Sequence, residues 1–220
     1  MKWTYLGLMD YDTCYQLQKE IHQKVVEGLF EDLLIFVQHP PVLTLGANFH
    51  EENLLFKKEE YEKKGIRVCV TDRGGDVTYH GPGQLVIYPI LNLNHYGKDL
   101  HKWLRLLEEL MIETLQLLGL ESQRFPPHTG VWTKDKKIAA IGIKVRKWIN
   151  LHGIALNCNN DLSPFELVVP CGIQGYGVTS LTKELEQEWT PDKVVPYVLK
   201  AVQNVFHLSA KPLETVLLSS

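Results

Sequence analysis

Between Lys137 and Asn157 the chain reads KIAAIGIKVRKWINLHGIALN, two apolar runs of strand composition separated only by the residues around Lys147 to Asn150. A parallel neighbour needs a crossover of about a dozen residues or more, so this pair has to fold back as antiparallel strands. The runs DVTYH from Asp76 and LVIYPILN from Leu85 meet at Gly81-Pro82-Gly83 and are expected to pair in the same way. Two more runs, LLIFVQ from Leu33 and IRVCV from Ile66, have the same composition. Helical spacing is clearest where Leu100, Trp103, Leu104, Leu107, Leu110, Met111, Leu115 and Leu118 recur at three and four, ending at Gly119. Weaker helical patterns cover about Asp12 to Leu29, Glu51 to Lys64, and Pro191 to Phe206 behind a Thr190 cap. Short turns between strands and irregular alternation with helices predict an α+β fold, a central mixed, largely antiparallel sheet flanked by helices.

With 220 residues, 45% hydrophobic and 22% charged, one catalytic-sized domain over 1–220 is expected. The formal net charge of −3 gives no electrostatic case for nucleic acid as a partner. No apolar run reaches the roughly 20 residues a membrane span needs, and the start MKWTYLGLMDYDTC reads as neither signal nor transit peptide. A cytoplasmic protein without a membrane partner, and a monomer, are therefore expected. Cys14, Cys69, Cys158 and Cys171 are scattered without C-x-x-C spacing, so no metal site is expected and the thiols are read as free.

Three segments carry candidate chemistry. In RGGDVTYHGPGQ, alternation puts Val77 and Tyr79 on one face and Thr78 and His80 on the other, with His80 at a strand end on the rim of a site. Gly74, Gly75, Gly81 and Gly83 let backbone N–H groups approach a ligand, and with His80 they are candidates for holding an oxyanion. A plain glycine turn explains the same residues. Neither of the glycine patterns that cradle nucleotide phosphates is present, so no cofactor is expected.

In VVPCGIQGYGVTSL, Cys171 sits between Pro170 and Gly172 in a loop, whereas Cys69 and Cys158 follow strand runs and Cys14 lies on a helix. A loop thiol has the access a nucleophile needs; the other three read as packing residues. In WTKDKKIAAIG, Lys137 shares a strand face with Ala139 and Ile141. Entry into an apolar row desolvates an ammonium and lowers its pKa from about 10.4, which suits a base; a solvated turn of Lys134, Lys136 and Lys137 is the alternative. Further on, Gly153 and Ala155 alternate with His152 and Ile154, so one face has little side-chain volume and room for a narrow apolar ligand. Lys134, Lys136, Lys137, Lys144, Arg146 and Lys147 face only Asp135 in that stretch, a cationic patch suited to steering acidic partners.

The segments RGGDVTYHGPGQLVIY, KIAAIG, LHGIALN and PCGIQGYGVTSL, in this order, resemble the signature segments of the lipoyl(octanoyl) transferase family. The resemblance runs from Arg73 to Tyr88 and from Gly130 to Leu181. It implies a fold similar to the biotin and lipoate protein ligase catalytic domain. It also implies transfer of octanoyl, or lipoyl, from acyl carrier protein to a lysine of lipoyl domains, those of 2-oxoacid dehydrogenase E2 subunits and the glycine cleavage H protein. By the same resemblance Cys171 is the acyl-thioester nucleophile and Lys137 its partner. Arg73, Gly74, Gly75, Asp76, Val77, Thr78, Tyr79, His80, Ala140, Ile141, Gly142, Gly153, Ile154 and Ala155 are then implied to bind substrate. Burying about seven chain carbons at roughly 0.8 kcal/mol each would favour octanoyl over acetyl by several orders of magnitude.

An ATP-dependent ligase on the same fold needs no cysteine, and a cysteine thioesterase releases free acid with or without an acceptor. A non-enzymatic carrier-binding module would be indifferent to Cys171→Ala. The sequence alone leaves open which of His39, His80 and His152 touches substrate.

Overall fold

The computed structural model describes residues 1–169 and 176–213. In chain order the elements are β1 (Lys2–Leu8), α1 (Tyr11–Val26), β2 (Leu33–Gln38), β3 (Val42–Leu45), α2 (Lys58–Lys63), β4 (Arg67–Val70), β5 (Val77–His80), β6 (Gln84–Ile90) and α3 (Leu100–Leu117). Then follow β7 (Gln123–Phe125), β8 (His128–Thr133), β9 (Lys136–Arg146), β10 (Ile149–Asn157), β11 (Gly177–Val178), α4 (Leu181–Leu185), α5 (Pro191–Phe206) and β12 (Lys211–Pro212).

The β9–β10 hairpin closes with Arg146 opposite Ile149, and Lys147 and Trp148 occupy the left-handed region at φ 51° and 61°. Two left-handed residues match the strand twist of a tight hairpin, which is how so short a connection works. The large sheet has the strand order β12-β1-β2-β6-β10-β9-β8-β7, with β11 on β9. Every residue of β6 is buried, because both faces are covered. Leu85 and Ile87 pack toward α3 and α5, and Val86, Tyr88 and Ile90 toward α1. Helix α3 starts where Asp99 accepts hydrogen bonds from the amides of His101 and Lys102, and it buries Trp103, Leu107, Leu110, Met111 and Leu115 on the periodic stripe.

The mixed, mostly antiparallel sheet with flanking helices is as expected; three features are not. The Gly81-Pro82-Gly83 turn does not close a hairpin. β5 belongs to a separate sheet, ordered β4-β3-β5, and β6 to the large one, so the turn carries the chain between sheets. The N-terminal residues form β1, which pairs parallel to β2 across the intervening α1. The helical pattern at Glu51 to Lys64 breaks into a short 3₁₀ turn, Glu51–Asn53, and α2.

Candidate functional site

β8 covers β9 only as far as Ala139, and among the described residues no strand pairs with the rest of that edge. The Arg73–Gly75 loop docks there, with the Gly74 amide donating to the Ile143 carbonyl at 2.8 Å. The approach requires glycine at position 142, where a Cβ would lie 2.7 Å from the Gly74 oxygen. Around this edge lies a cavity of about 470 Å³, in the range of small-molecule sites. One wall is apolar, from Leu100 and Leu104 of α3 and Ile141, Ile143 and Val145 of β9. The opposite wall is polar and aromatic, from Tyr11, Thr78, His80, Tyr88 and His152.

The structure brings Arg73, Gly74, Gly75, Thr78, His80, Lys137, Ala140, Ile141, Gly142, Gly153, Ile154 and Ala155 together on the cavity surface. Asp76, Val77 and Tyr79 do not line it. Val77 and Tyr79 point by strand alternation into the core of the smaller sheet. The Asp76 carboxylate faces its own loop, accepting from the amides of Val77 at 2.7 Å and His50 at 3.3 Å and from the Asn53 side chain. Arg73 is also part of this scaffold. Its Nε donates to Thr44 Oγ1 at 3.0 Å and its Nη2 to the carbonyls of Thr44 and Asp76 at 2.6 and 2.7 Å. The guanidinium ties the loop to β3 and places a buried positive charge under the polar wall.

That loop geometry bears on the oxyanion expectation. The Gly74 amide is committed to Ile143, and His80 has no proton to offer. Gln84 uses its amide hydrogens on the Tyr79 carbonyl and Asn157 Oδ1, so its Oε1 faces His80 Nδ1 at 2.8 Å as acceptor. The His80 proton is therefore on Nδ1, and its Nε2 faces the Thr44 hydroxyl at 3.5 Å. His80 is a buried wall residue, 6% exposed, and not a rim residue. Burial, and next its neighbour His39, depress its pKa to about 3, so the imidazole is held neutral and is a weak base at neutral pH.

His39 is similarly held. Its Nδ1 donates to the Met9 carbonyl at 2.7 Å and its Nε2 accepts from Tyr88 Oη at 2.8 Å, and burial lowers its pKa to about 4. His152 donates from Nε2 to Asp72 Oδ1 at 2.8 Å, while the Tyr15 ring stacks on it at 4.7 Å. Its buried Nδ1 has no hydrogen-bond partner among the described residues.

The volume expected from the small residues on β10 is partly taken up by backbone. A Cβ at Gly153 would stand 2.1 Å from the Ile87 carbonyl oxygen, so that glycine serves strand approach. Ala140 and Ala155 face each other in register and do border the cavity.

At the other end of the exposed stretch of β9 stands Lys137, half-buried, its Nζ 5.1 Å from the centre of the Trp132 ring. Gly130 packs against its stem: a Cβ there would lie 3.5 Å from Lys137 Cε and 2.6 Å from the Ala139 carbonyl oxygen. Gly130 is in turn held by Glu108, a fully buried carboxylate on α3. Glu108 Oε1 accepts from the Gly130 amide at 3.2 Å, and Oε2 from Arg105 and Arg124 at 2.6 and 3.0 Å. Cys171 lies outside the described residues. The chain resumes at Tyr176 beside Phe125 and Trp132, and Gly177 and Val178 then pair with Lys136 and Lys137. Cys14, Cys69 and Cys158 are buried free thiols, with Cys14 and Cys158 pushed up to about 12 by desolvation.

Sequence reading missed Tyr11, Tyr88, Asp72 and the apolar wall of Leu100, Leu104, Ile143 and Val145. Tyr88 is legible in retrospect, two residues from Val86 on the same strand face. Tyr11 and Asp72 are not, because each meets its partners across long stretches of chain.

The sequence matches the family model described as lipoyl protein ligase A/B catalytic domain over residues 10–203. An octanoyltransferase of Caldicellulosiruptor saccharolyticus is 45% identical over 204 residues, covering 92% of this chain and 87% of the relative. A lipoate-protein ligase A crystallised with ATP superposes with a TM-score of 0.76 at 19% identity, over 98% of this chain and 90% of that one. The biotin protein ligase of Aquifex aeolicus, with biotin and ATP, gives 0.57 at 14% identity over 94% and 70%. At such identities the structural likeness concerns the fold alone.

Proposed function

The chain belongs to the lipoyl protein ligase A/B catalytic-domain family and is a transferase, and on that premise we propose that it moves octanoyl, or lipoyl, from acyl carrier protein to a lysine of lipoyl domains. The acceptors are those of 2-oxoacid dehydrogenase E2 subunits and the glycine cleavage H protein, and the protein works as one cytoplasmic catalytic domain, a monomer. Cys171 is the nucleophile and Lys137 its proton partner. The observation that carries this reading is the register of β11: after the Cys171 segment the chain returns directly onto Lys136 and Lys137. The same lysine borders a cavity with an apolar wall fit for an alkyl chain.

A thiol with a pKa of about 8.5 is only a few per cent ionised at pH 7, so attack needs a base or a cation beside it. Lys137 supplies both. As neutral amine it takes the thiol proton; the thiolate adds to the octanoyl thioester carbonyl, and collapse breaks the carbon–sulfur bond to the pantetheine thiolate, which the Lys137 ammonium protonates. In the second half-reaction the acceptor lysine attacks as a neutral amine. Lys137 takes the amine proton and the Cys171 thiolate leaves, yielding the amide. Neutral His39 and His80 hold the wall in shape; His152 Nδ1 offers an acceptor to a substrate N–H or O–H. The cationic residues from Lys134 to Lys147 steer acidic partners to the mouth.

Intact-mass measurement after mixing with octanoyl-acyl carrier protein tests the reading. An octanoyl adduct forms on the wild type without ATP and is absent in Cys171→Ala. Lys137→Ala slows its formation, by about 10² or more at neutral pH, with partial recovery at alkaline pH. A requirement for ATP would replace the thioester route by the adenylate route of a ligase. Adduct formation at the wild-type rate in Lys137→Ala would remove the dyad.

A further inference from the structure

Trp132 of β8 and Lys137 of β9 stand directly opposite each other. One step further the register slips, because Val131 faces Ala139 and leaves Ile138 as an extra residue on β9. A bulge of this kind re-aims the side chains beside it. Ile138 and Ala139 are both buried in the main core, while Lys137 brings its Nζ over the Trp132 ring, 5.1 Å from the centroid. The ring has little freedom to move away. It is 1% exposed, and Phe125 and Tyr176 pack on it at centroid distances of 5.0 and 5.7 Å. Its Nε1 is buried without a hydrogen-bond partner among the described residues, so what the indole offers Lys137 is the negative face of its π system.

An ammonium within about 6 Å of an indole face is attracted to it, more strongly as water is excluded, whereas a neutral amine carries no charge for the face to attract. Lys137 is half-buried. The carboxylates on the helices near it have other partners: Glu184 of α4 pairs with Lys134 and accepts from Thr179, and Glu108 of α3, behind Gly130, pairs with Arg105 and Arg124. Lys134, Asp135 and Lys136 of the adjoining turn are exposed, and His128 of β8 borders the same cavity as Lys137.

We infer that Trp132 is a positioning residue acting through Lys137: its ring face stabilises the ammonium that forms when the neutral amine takes a proton. This rests on the reading of Lys137 as the proton partner of Cys171. When the thiol S–H bond breaks, the electron pair stays on sulfur and the proton passes to Nζ. The ring stabilises the state after that transfer and not the state before it, so the contact lowers the barrier instead of tightening donor binding. In the second half-reaction the proton comes from the acceptor amine and the ring acts in the same way.

The test replaces Trp132 site-specifically by 5-fluoro-, 5,7-difluoro- and tetrafluorotryptophan, which withdraw charge from the face stepwise at nearly constant shape. The protonation midpoint of Lys137, read from its ¹³Cε shift with no donor present, should fall with each step, by about one pH unit in all, or tenfold in proton affinity. Melting temperature should hold. Above the midpoint, where the lysine starts as neutral amine, acylation by octanoyl-acyl carrier protein should slow by up to about tenfold in maximal rate with KM unchanged; well below it the fluorinated proteins should be no slower than the wild type. A midpoint constant along the series overturns the inference. Equal slowing at every pH does so too, since it assigns the ring to packing, and so does a falling midpoint with unchanged acylation, since the reaction then makes no use of the contact. If the wild type forms no octanoyl adduct, the thioester reading has failed on its own account, and the midpoint series upholds or overturns the hold of the ring on the ammonium.

Discussion

The two walls of the cavity are built by different physics. The polar wall is a set of hydrogen bonds already made: His39 between Met9 and Tyr88, His80 between Gln84 and Thr44, and Arg73 on the carbonyls of Thr44 and Asp76. Each buried donor has its acceptor, so tautomers and rotamers are fixed before any substrate arrives. The apolar wall has no such fixing. Leu100 is 46% exposed and Leu104 only half-buried, and their contacts with β9 are a matter of shape. The polar wall should therefore fail by losing the fold, and the apolar wall by changing what fits.

The largest effect should come where a buried charge anchors the apolar side. Glu108→Ala leaves the buried Gly130 amide without its acceptor and takes one of two carboxylates from Arg124, which keeps Glu109; thermal or denaturant unfolding should show a loss of about 1–3 kcal/mol. Glu108→Gln keeps an acceptor for Gly130 and should cost less. A loss equal to that of an ordinary surface substitution would mean that the clamp holds nothing.

Acid should expose the polar wall next. His80 and His39 bind a proton near pH 6.5 when unfolded but only near 3 and 4 when folded. Between those values the unfolded state holds more protons, so stability is complete above about pH 6.5 and erodes as pH falls, by up to about 1.4 kcal/mol per pH unit for each histidine. Melting temperature measured from pH 7 to 4 should fall, and less steeply in His80→Asn. A flat profile would show that the imidazoles are not held neutral.

On the apolar wall, Leu104→Ala should leave melting little changed and shift donor preference toward longer chains. Two extra methylenes at about 0.8 kcal/mol each would amount to roughly tenfold in relative KM for decanoyl over octanoyl. Equal loss for all chain lengths would assign Leu104 to folding and erase the contrast between the walls. The smallest effect belongs outside both. Lys144→Glu should raise KM for the carrier-bound donor a few-fold at low salt and flatten its salt dependence; unchanged values would detach this surface from partner capture.

Much of the frame was legible in the sequence, because hydrophobic period and turn length decide it locally. The β9–β10 hairpin and α3 follow from spacing alone. The crossing at Gly81-Pro82-Gly83 was not legible: two short runs and a tight turn look alike whether they pair with each other or with strands of two sheets. β3, which takes β5 away from β6, is only four residues long. The same distinction runs through the site. Thr78 and His80 fall on the cavity side by alternation, as do Ala140 and Ala155 in facing register. The role of His80 was not readable, since its tautomer is dictated by Gln84, whose amide is oriented in turn by Asn157, distant in sequence. Glu108 gave no signal either. A glutamate on an amphipathic helix is ordinarily solvated, and only the hairpin folded over it shows otherwise.

Helix α3 places Leu100, Leu104 and Glu108 at successive steps of four, so the side chains that shape the apolar wall and the carboxylate that anchors the Lys137 hairpin lie along one stripe. For anyone redesigning donor preference this sets a gradient of risk. Positions 100 and 104, two turns and one turn from the anchor, can be recut for fit, whereas position 108 carries the hairpin's stability and should be left alone.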